Sequence, residues 1–252
     1  MPRAHRHYLP GHVWHITHRC HDQTFLLKFK HDRRLWERWL YEARRRYGLR
    51  ILNYIATSNH VHLLVHDRGD DEIRRSIQLV AGRTAQHFNG RRRRRGAFWE
   101  GRYHATAVET GEHLRRCLVY IDLNMVRAGR VRHPREWDTC GYKEIQLPRT
   151  RHRIINTGAL MNVLGISDLG VLRRSHRDWV EEALDSGDHG RDPAWTEALA
   201  VGSRDFVEQF RDAQGPIARN RPIETAGETC HLREEPFVYQ PYSTTENDPV
   251  SG

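Results

Sequence analysis

Cysteine is scarce and scattered: Cys20, Cys117, Cys140 and Cys230 form no CxxC pair and no dense cluster. This argues against a disulfide framework and against a cysteine-ligated zinc, and fits reduced thiols in a cytoplasm. Long apolar runs are missing too. No stretch of about 18 apolar residues occurs, and the opening MPRAHRHYLPGHVWH has no signal-peptide core. A soluble cytoplasmic protein, nucleoid-associated if it binds DNA, is therefore expected. There is no Walker-type glycine loop and no internal repeat. Lysine is nearly absent, at positions 28, 30 and 143 only.

What is abundant is arginine. Lys+Arg number 41 against 32 Asp+Glu, a formal charge of +9 and a pI near 9.8. Guanidinium groups grip phosphate in a bidentate way, so a polyanionic partner is the first expectation. Five arginines stand consecutively at Arg91 to Arg95. With Trp99, Tyr103 and Arg102 nearby, they suit a basic loop that follows a nucleic-acid backbone and stacks its bases.

Periodicity gives the elements. GHVWHITH at 11–18 alternates with period two and is β-branched, which predicts a strand. Asp32 opens a helical pattern through Leu35, Trp36, Trp39, Leu40 and Ala43, stopped near Gly48. LRILNYIAT (49–57) and HVHLLVH (60–66) predict two antiparallel strands joined at Ser58 and Asn59. Asp70 and Asp71 are placed to cap a second helix that runs to about Phe88 and ends at Asn89 and Gly90. GAFWEGRYHATAVE predicts a strand region, and Thr110 begins a third helix ending near Gly129. The order predicts an α+β, ferredoxin-like (RRM-like) antiparallel sheet with helices on one face. A domain over 8–146 is expected, then a small helical extension over 150–214 and a flexible tail over 215–252.

The chemistry concentrates in two segments. In a strand His60 and His62 point the same way and can converge on one ion. By itself the pair is weak, since His5 and His7 repeat the spacing and His66 shares the parity. In RRCLVYIDLNMVRAGRV, Tyr120 and Asn124 lie four apart on one helical face, with Arg116 and Arg127 near the same stripe. An amide oxygen beside two imidazoles suits Mg²⁺ or Mn²⁺, without excluding zinc.

NHVHLLV followed by YIDLNMVRAG resembles the HUH single-tyrosine transposases of the REP-associated type. VWHITHRC, FWEGRYH and EWDTCGYK extend the resemblance over about residues 8 to 146. It implies His60, His62 and Asn124 as ligands of a divalent ion, Tyr120 as nucleophile, and a ferredoxin-like fold. It also implies cleavage and rejoining of single-stranded DNA through a 5′-phosphotyrosine, with hairpin-containing repeats or element ends as partners and a monomer or homodimer as the working unit. Ser58, Met125 and Arg130 depart from the usual proline, proline and leucine. None removes a chemical group, although Met125 bears on the placing of Asn124. Tyr103 is the rival nucleophile. Two other readings stand beside this one: a domesticated, non-catalytic nucleic-acid-binding module, and a metal hydrolase that activates water. An RRM would carry aromatic residues where His60 and His62 stand.

Overall fold

The computed structural model describes residues 8–187 and 190–233. The strands are β1 (Val13–Arg19), β2 (Arg50–Ala56), β3 (His60–His66), β4 (His104–Val108), β5 (Ala198–Gly202), β6 (Ile223–Ala226) and β7 (Thr229–Arg233). The helices are α1 (Lys30–Tyr47), α2 (Glu72–Arg92), α3 (Glu112–Asp122), α4 (Asn124–Arg127), α5 (Gly141–Gln146), α6 (Thr157–Leu164), α7 (Leu169–Ser186), α8 (Ala194–Glu197) and α9 (Arg204–Ala213).

The sheet runs β2-β3-β1-β4-β5-β7-β6. Its first four strands pair antiparallel in the ferredoxin-like βαββαβ order, with β1 between β3 and β4. Period-two alternation gives each strand two characters. Ile16, Val61 and Leu63 meet Trp36 of α1 and Ile77 and Val80 of α2 on one face. His15, Thr17, His60 and His62 share the opposite face, because Thr17 pairs with His62 and Arg19 with His60. Helices on one face describes α1 and α2; α3 covers the histidine face, where Asn124 just beyond it reaches His62.

Several boundaries move for identifiable reasons. Asp71 makes no capping bond and instead pairs with Arg74 at 2.6 Å. The Glu72 carboxylate accepts the backbone N–H of Arg68 and Asp70, which ties down the turn leading into α2. α2 passes through Gly90 to Arg92, since Arg91 reaches Asp32, a buried carboxylate in the first turn of α1. A glycine costs about 1 kcal/mol inside a helix, and this ion pair with the stacking of Arg92 on Phe88 offsets it.

The sheet is continuous beyond residue 150. PAWTEALAVGSRDFVEQF, expected as helix, contains β5, which adds parallel to β4 through Ala107–Ala200 and Val108–Val201. β4 would otherwise expose an unpaired edge. Glu109 secures the junction by accepting the N–H and hydroxyl of Ser203 at 2.6 and 2.9 Å. Within the expected tail of 215–252, β6 and β7 form a hairpin on β5 that buries Cys230 and Leu232. The rest of that tail, 234–252, lies outside the described residues. All four cysteines are buried free thiols.

Candidate active site

Three imidazoles form a chain on the histidine face. His15 Nε2 lies 2.9 Å from His62 Nδ1, and the two rings stack at 5.0 Å. The other nitrogen of His62, Nε2, lies 2.9 Å from the side-chain nitrogen of Asn124. His60 directs Nδ1 at Asn59 Oδ1, 2.8 Å away, with Thr57 Oγ1 at 3.1 Å. Both Nδ1 atoms are thus engaged from behind, which leaves Nε2 of each histidine turned to the Asn124 amide. Outer hydrogen bonds of this kind set the tautomer and aim of a metal-binding imidazole.

The histidines are held neutral. Burial lowers His15 to about 3 and His60 to about 4, helped at His60 by the Arg19 guanidinium. Burial also depresses His62, with the His60 and His15 imidazoles adding to it. A neutral imidazole is the form that binds a metal. These folded values lie below the ordinary 6.5, so the unfolded chain binds more protons once the pH falls under about 6.5. Stability is full above that pH and falls on acidification, by at most about 1.4 kcal/mol per pH unit for each histidine. A Tm series between pH 7 and pH 5 checks this; a flat profile would contradict it.

Tyr120 stands one turn before Asn124 and is 9% exposed. Its ring lies 6.1 Å from that of His62 and 6.2 Å from that of His15. Burial raises its phenol above the usual range, and Arg127 and Arg191 pull it back. The Arg127 guanidinium sits 4.1 Å over the Tyr120 ring and donates to the Tyr120 carbonyl at 2.8 Å. The helix expected to run from Thr110 to near Gly129 breaks at Leu123, between α3 and α4; Met125 is buried, and the N–H of Ala128 bonds to the Asn124 carbonyl.

Residues 10–124 match the model of the IS200-like transposase family and end on Asn124. Over those residues the chain is similar to IS200-like transposases. Among solved structures, the chain is similar to a REP-associated tyrosine transposase bound to a REP hairpin, at 18% identity and a TM-score of 0.48, covering 57% of this chain and 84% of that one. It is also similar to a crystal structure assigned as a transposase from Deinococcus radiodurans R1, at 15% identity and a TM-score of 0.35, covering 51% of this chain and 97% of that one. No curated protein matches. The transposase family consists in general of DNA-cleaving, strand-transferring enzymes that use a divalent metal.

Two imidazole nitrogens and one amide group, of His60, His62 and Asn124, fit a divalent ion with open positions for water and phosphate. Among the described residues no group of three His, Cys, Asp or Glu side chains is placed to hold a metal ion. The amide needs only a flip about its terminal bond to present oxygen in place of nitrogen, and the two are interchangeable in shape. Tyr103 is on the wrong face. Its ring lies 6.2 Å from His18, on the α1/α2 side, and its hydroxyl accepts from Tyr8 at 3.0 Å.

The expected DNA-contacting residues divide. Arg91 and Arg92 belong to α2, with Arg91 paired to Asp32. Arg94 donates to the Ala97 carbonyl at 2.8 Å and to Asn89 at 3.1 Å, which orders the loop. Arg93, Arg95 and Arg102 are exposed. Trp99 is no open platform: His18 stacks on it at 4.3 Å, and its indole N–H donates to the Ala81 carbonyl. Arg116 donates to Thr229 of β7 at 2.7 Å. The periodicity missed Arg19, Arg191 and His15. Arg19 and His15 share one parity within β1, but only the β1–β3 register sets them on the face of His60 and His62. Arg191 comes from the extension and acts on both His60 and Tyr120. No helix among the described residues is long and apolar enough to cross a membrane.

Proposed function

We propose that this protein cleaves and rejoins single-stranded DNA through a covalent bond between Tyr120 and a DNA 5′-phosphate. The observation that carries the reading is the placing of the Tyr120 ring against His62 while Asn124, one turn on, meets the same imidazole. His60, His62 and Asn124 would hold Mg²⁺ or Mn²⁺. A bound ion would supply charge stabilisation and orientation for the scissile phosphate.

Tyr120 Oη attacks phosphorus, and the bond from phosphorus to the 3′ oxygen breaks. In net balance the phenolic proton ends on the departing 3′ oxygen. The phosphodiester is conserved as a phosphotyrosine, so a later 3′-OH can reverse the step without ATP. Arg127 and Arg191 favour the phenolate, and Arg19 beside His60 meets the phosphate charge. Hairpin-containing repeats or element ends are the DNA we assign to it.

The test is to mix the full chain with labelled single-stranded DNA from the flanks of its own gene and Mn²⁺ or Mg²⁺, then score an SDS-resistant adduct. His62→Ala and EDTA are each expected to remove it. Sequence-specific binding without an adduct under any metal would instead favour a binding module. An RRM-like use of the sheet face is disfavoured, because α3 covers the face that such modules present to bases.

Backbone affinity is assigned to the exposed arginines. The double variant Arg93→Ala, Arg95→Ala is expected to weaken binding equally across sequences. It should also reduce the slope of log K against log salt by roughly 0.7 per lost phosphate contact. Anisotropy titrations at several salt concentrations measure this, and an unchanged slope would remove the pair from the interface.

A further inference from the structure

Tyr120 has two sides. One meets the histidines; the other opens on a groove of about 300 Å³ between α3 and α7. The floor carries Val119, Tyr120 and Leu123, and the opposite wall comes from the extension, with Trp179 on α7 and Trp195 at α8. That wall lies outside residues 10–124, the part that matches the transposase family.

The lining has a definite chemistry. Trp195 is buried and lies 6.2 Å from the Tyr120 ring. Trp179 is half-buried, with the Arg115 guanidinium 5.9 Å from its ring centre. Three guanidinium groups, of Arg115, Arg116 and Arg127, face two carboxylates, of Glu182 and Asp192. Glu182 approaches Arg115 at 3.6 Å. Arg115 also pairs with Glu112 at 2.5 Å, whereas Arg116 is exposed and donates to the Thr229 hydroxyl, so Arg116 is the guanidinium placed for a phosphate. Indole rings beside guanidinium groups are the combination that binds an unpaired nucleotide, by stacking the base and holding the backbone. The volume lies at the small end for ligand sites.

We propose that this groove is a nucleotide subsite: it takes one unpaired nucleotide of the DNA strand next to the phosphate facing Tyr120. The base stacks on Trp179 and the backbone phosphate meets Arg116. The extension thereby holds the strand across the nucleophile. The role in catalysis rests on the function proposed above, whereas the binding itself does not.

The experiment uses the full chain in EDTA with a fluorescein-labelled oligothymidylate of four residues as the probe, read by anisotropy. Trp179→Ala is expected to weaken binding about tenfold or more, the size of a lost stacking contact. Trp179→Phe, which keeps an aromatic face, should stay within about threefold of the parent by the same reasoning. Adduct formation at subsaturating DNA should fall in parallel in the alanine variant. Equal binding by parent and Trp179→Ala overturns the proposal, as does faster adduct formation in that variant, which would mark the wall as a cover. If the parent makes no adduct but its binding depends on Trp179, the subsite stands and the Tyr120 chemistry fails. If the adduct forms and Trp179→Ala changes nothing, the reverse holds.

Discussion

Tyr120→Phe is expected to form no covalent adduct with single-stranded DNA, a fall of at least about 10⁴ in rate, because the substitution removes the attacking oxygen itself. The ring would remain, and with it the contacts to His62, His15, Trp195 and Arg127. Folding and metal affinity should therefore stay close to the parent, and Mn²⁺ binding followed by paramagnetic resonance checks that. Tyr103→Phe should keep the full adduct yield, since Tyr103 lies across the sheet from His62. An adduct persisting in Tyr120→Phe and lost in Tyr103→Phe would reverse the assignment. His15→Phe separates positioning from attack. It fills similar space but leaves His62 Nδ1 without its partner at 2.9 Å. Loss of such an outer hydrogen bond typically weakens metal binding by about 10- to 100-fold, so calorimetry with Mn²⁺ should show weaker binding while Tyr120 is untouched.

The contrast between Tyr120 and His15 shows what a linear reading can reach. Tyr120 and Asn124 are related by helical spacing, a local property written into four residues, and His60 and His62 by strand spacing. His15 joins them only through the pairing of β1 with β3 in one register. Had β1 slipped by one residue, Trp14 or Ile16 would stand opposite Leu64 in place of His15, and His15 would turn to the α1/α2 face. The ferredoxin-like half was legible because its elements are long and periodic. β5 was not: Ala198–Gly202 is five residues without a clear alternation, and its partner β4 lies some ninety residues earlier. The arginine run misled for a related reason. Gly90 reads as a stop, yet Asp32 holds Arg91 from another helix and carries α2 through it.

The largest stability effect is expected where the extension grips α3. Asp122, two residues after Tyr120 and two before Asn124, is buried with both carboxylate oxygens used. Oδ1 accepts from the Asn53 amide at 3.0 Å, and Oδ2 meets His176 Nε2 of α7 at 2.7 Å. The second ring nitrogen of His176 lies 3.0 Å from Gln146, so the network is closed. Gly141 permits it, since a Cβ there would lie 2.0 Å from Asn53 Oδ1. His176→Ala strands a buried carboxylate and is expected to cost about 3–5 kcal/mol in urea unfolding. The double variant Asp122→Leu, His176→Leu should cost less than the two single changes added, because neither buried partner is then left without the other. Strict additivity, or a His176→Ala cost under about 1 kcal/mol, would show that the pair does not bind α7 to α3. The functional consequence follows from position. Asp122 fixes the turn between Tyr120 and Asn124, so under the proposed function a loosened α3 should lower the adduct rate even where the protein remains folded.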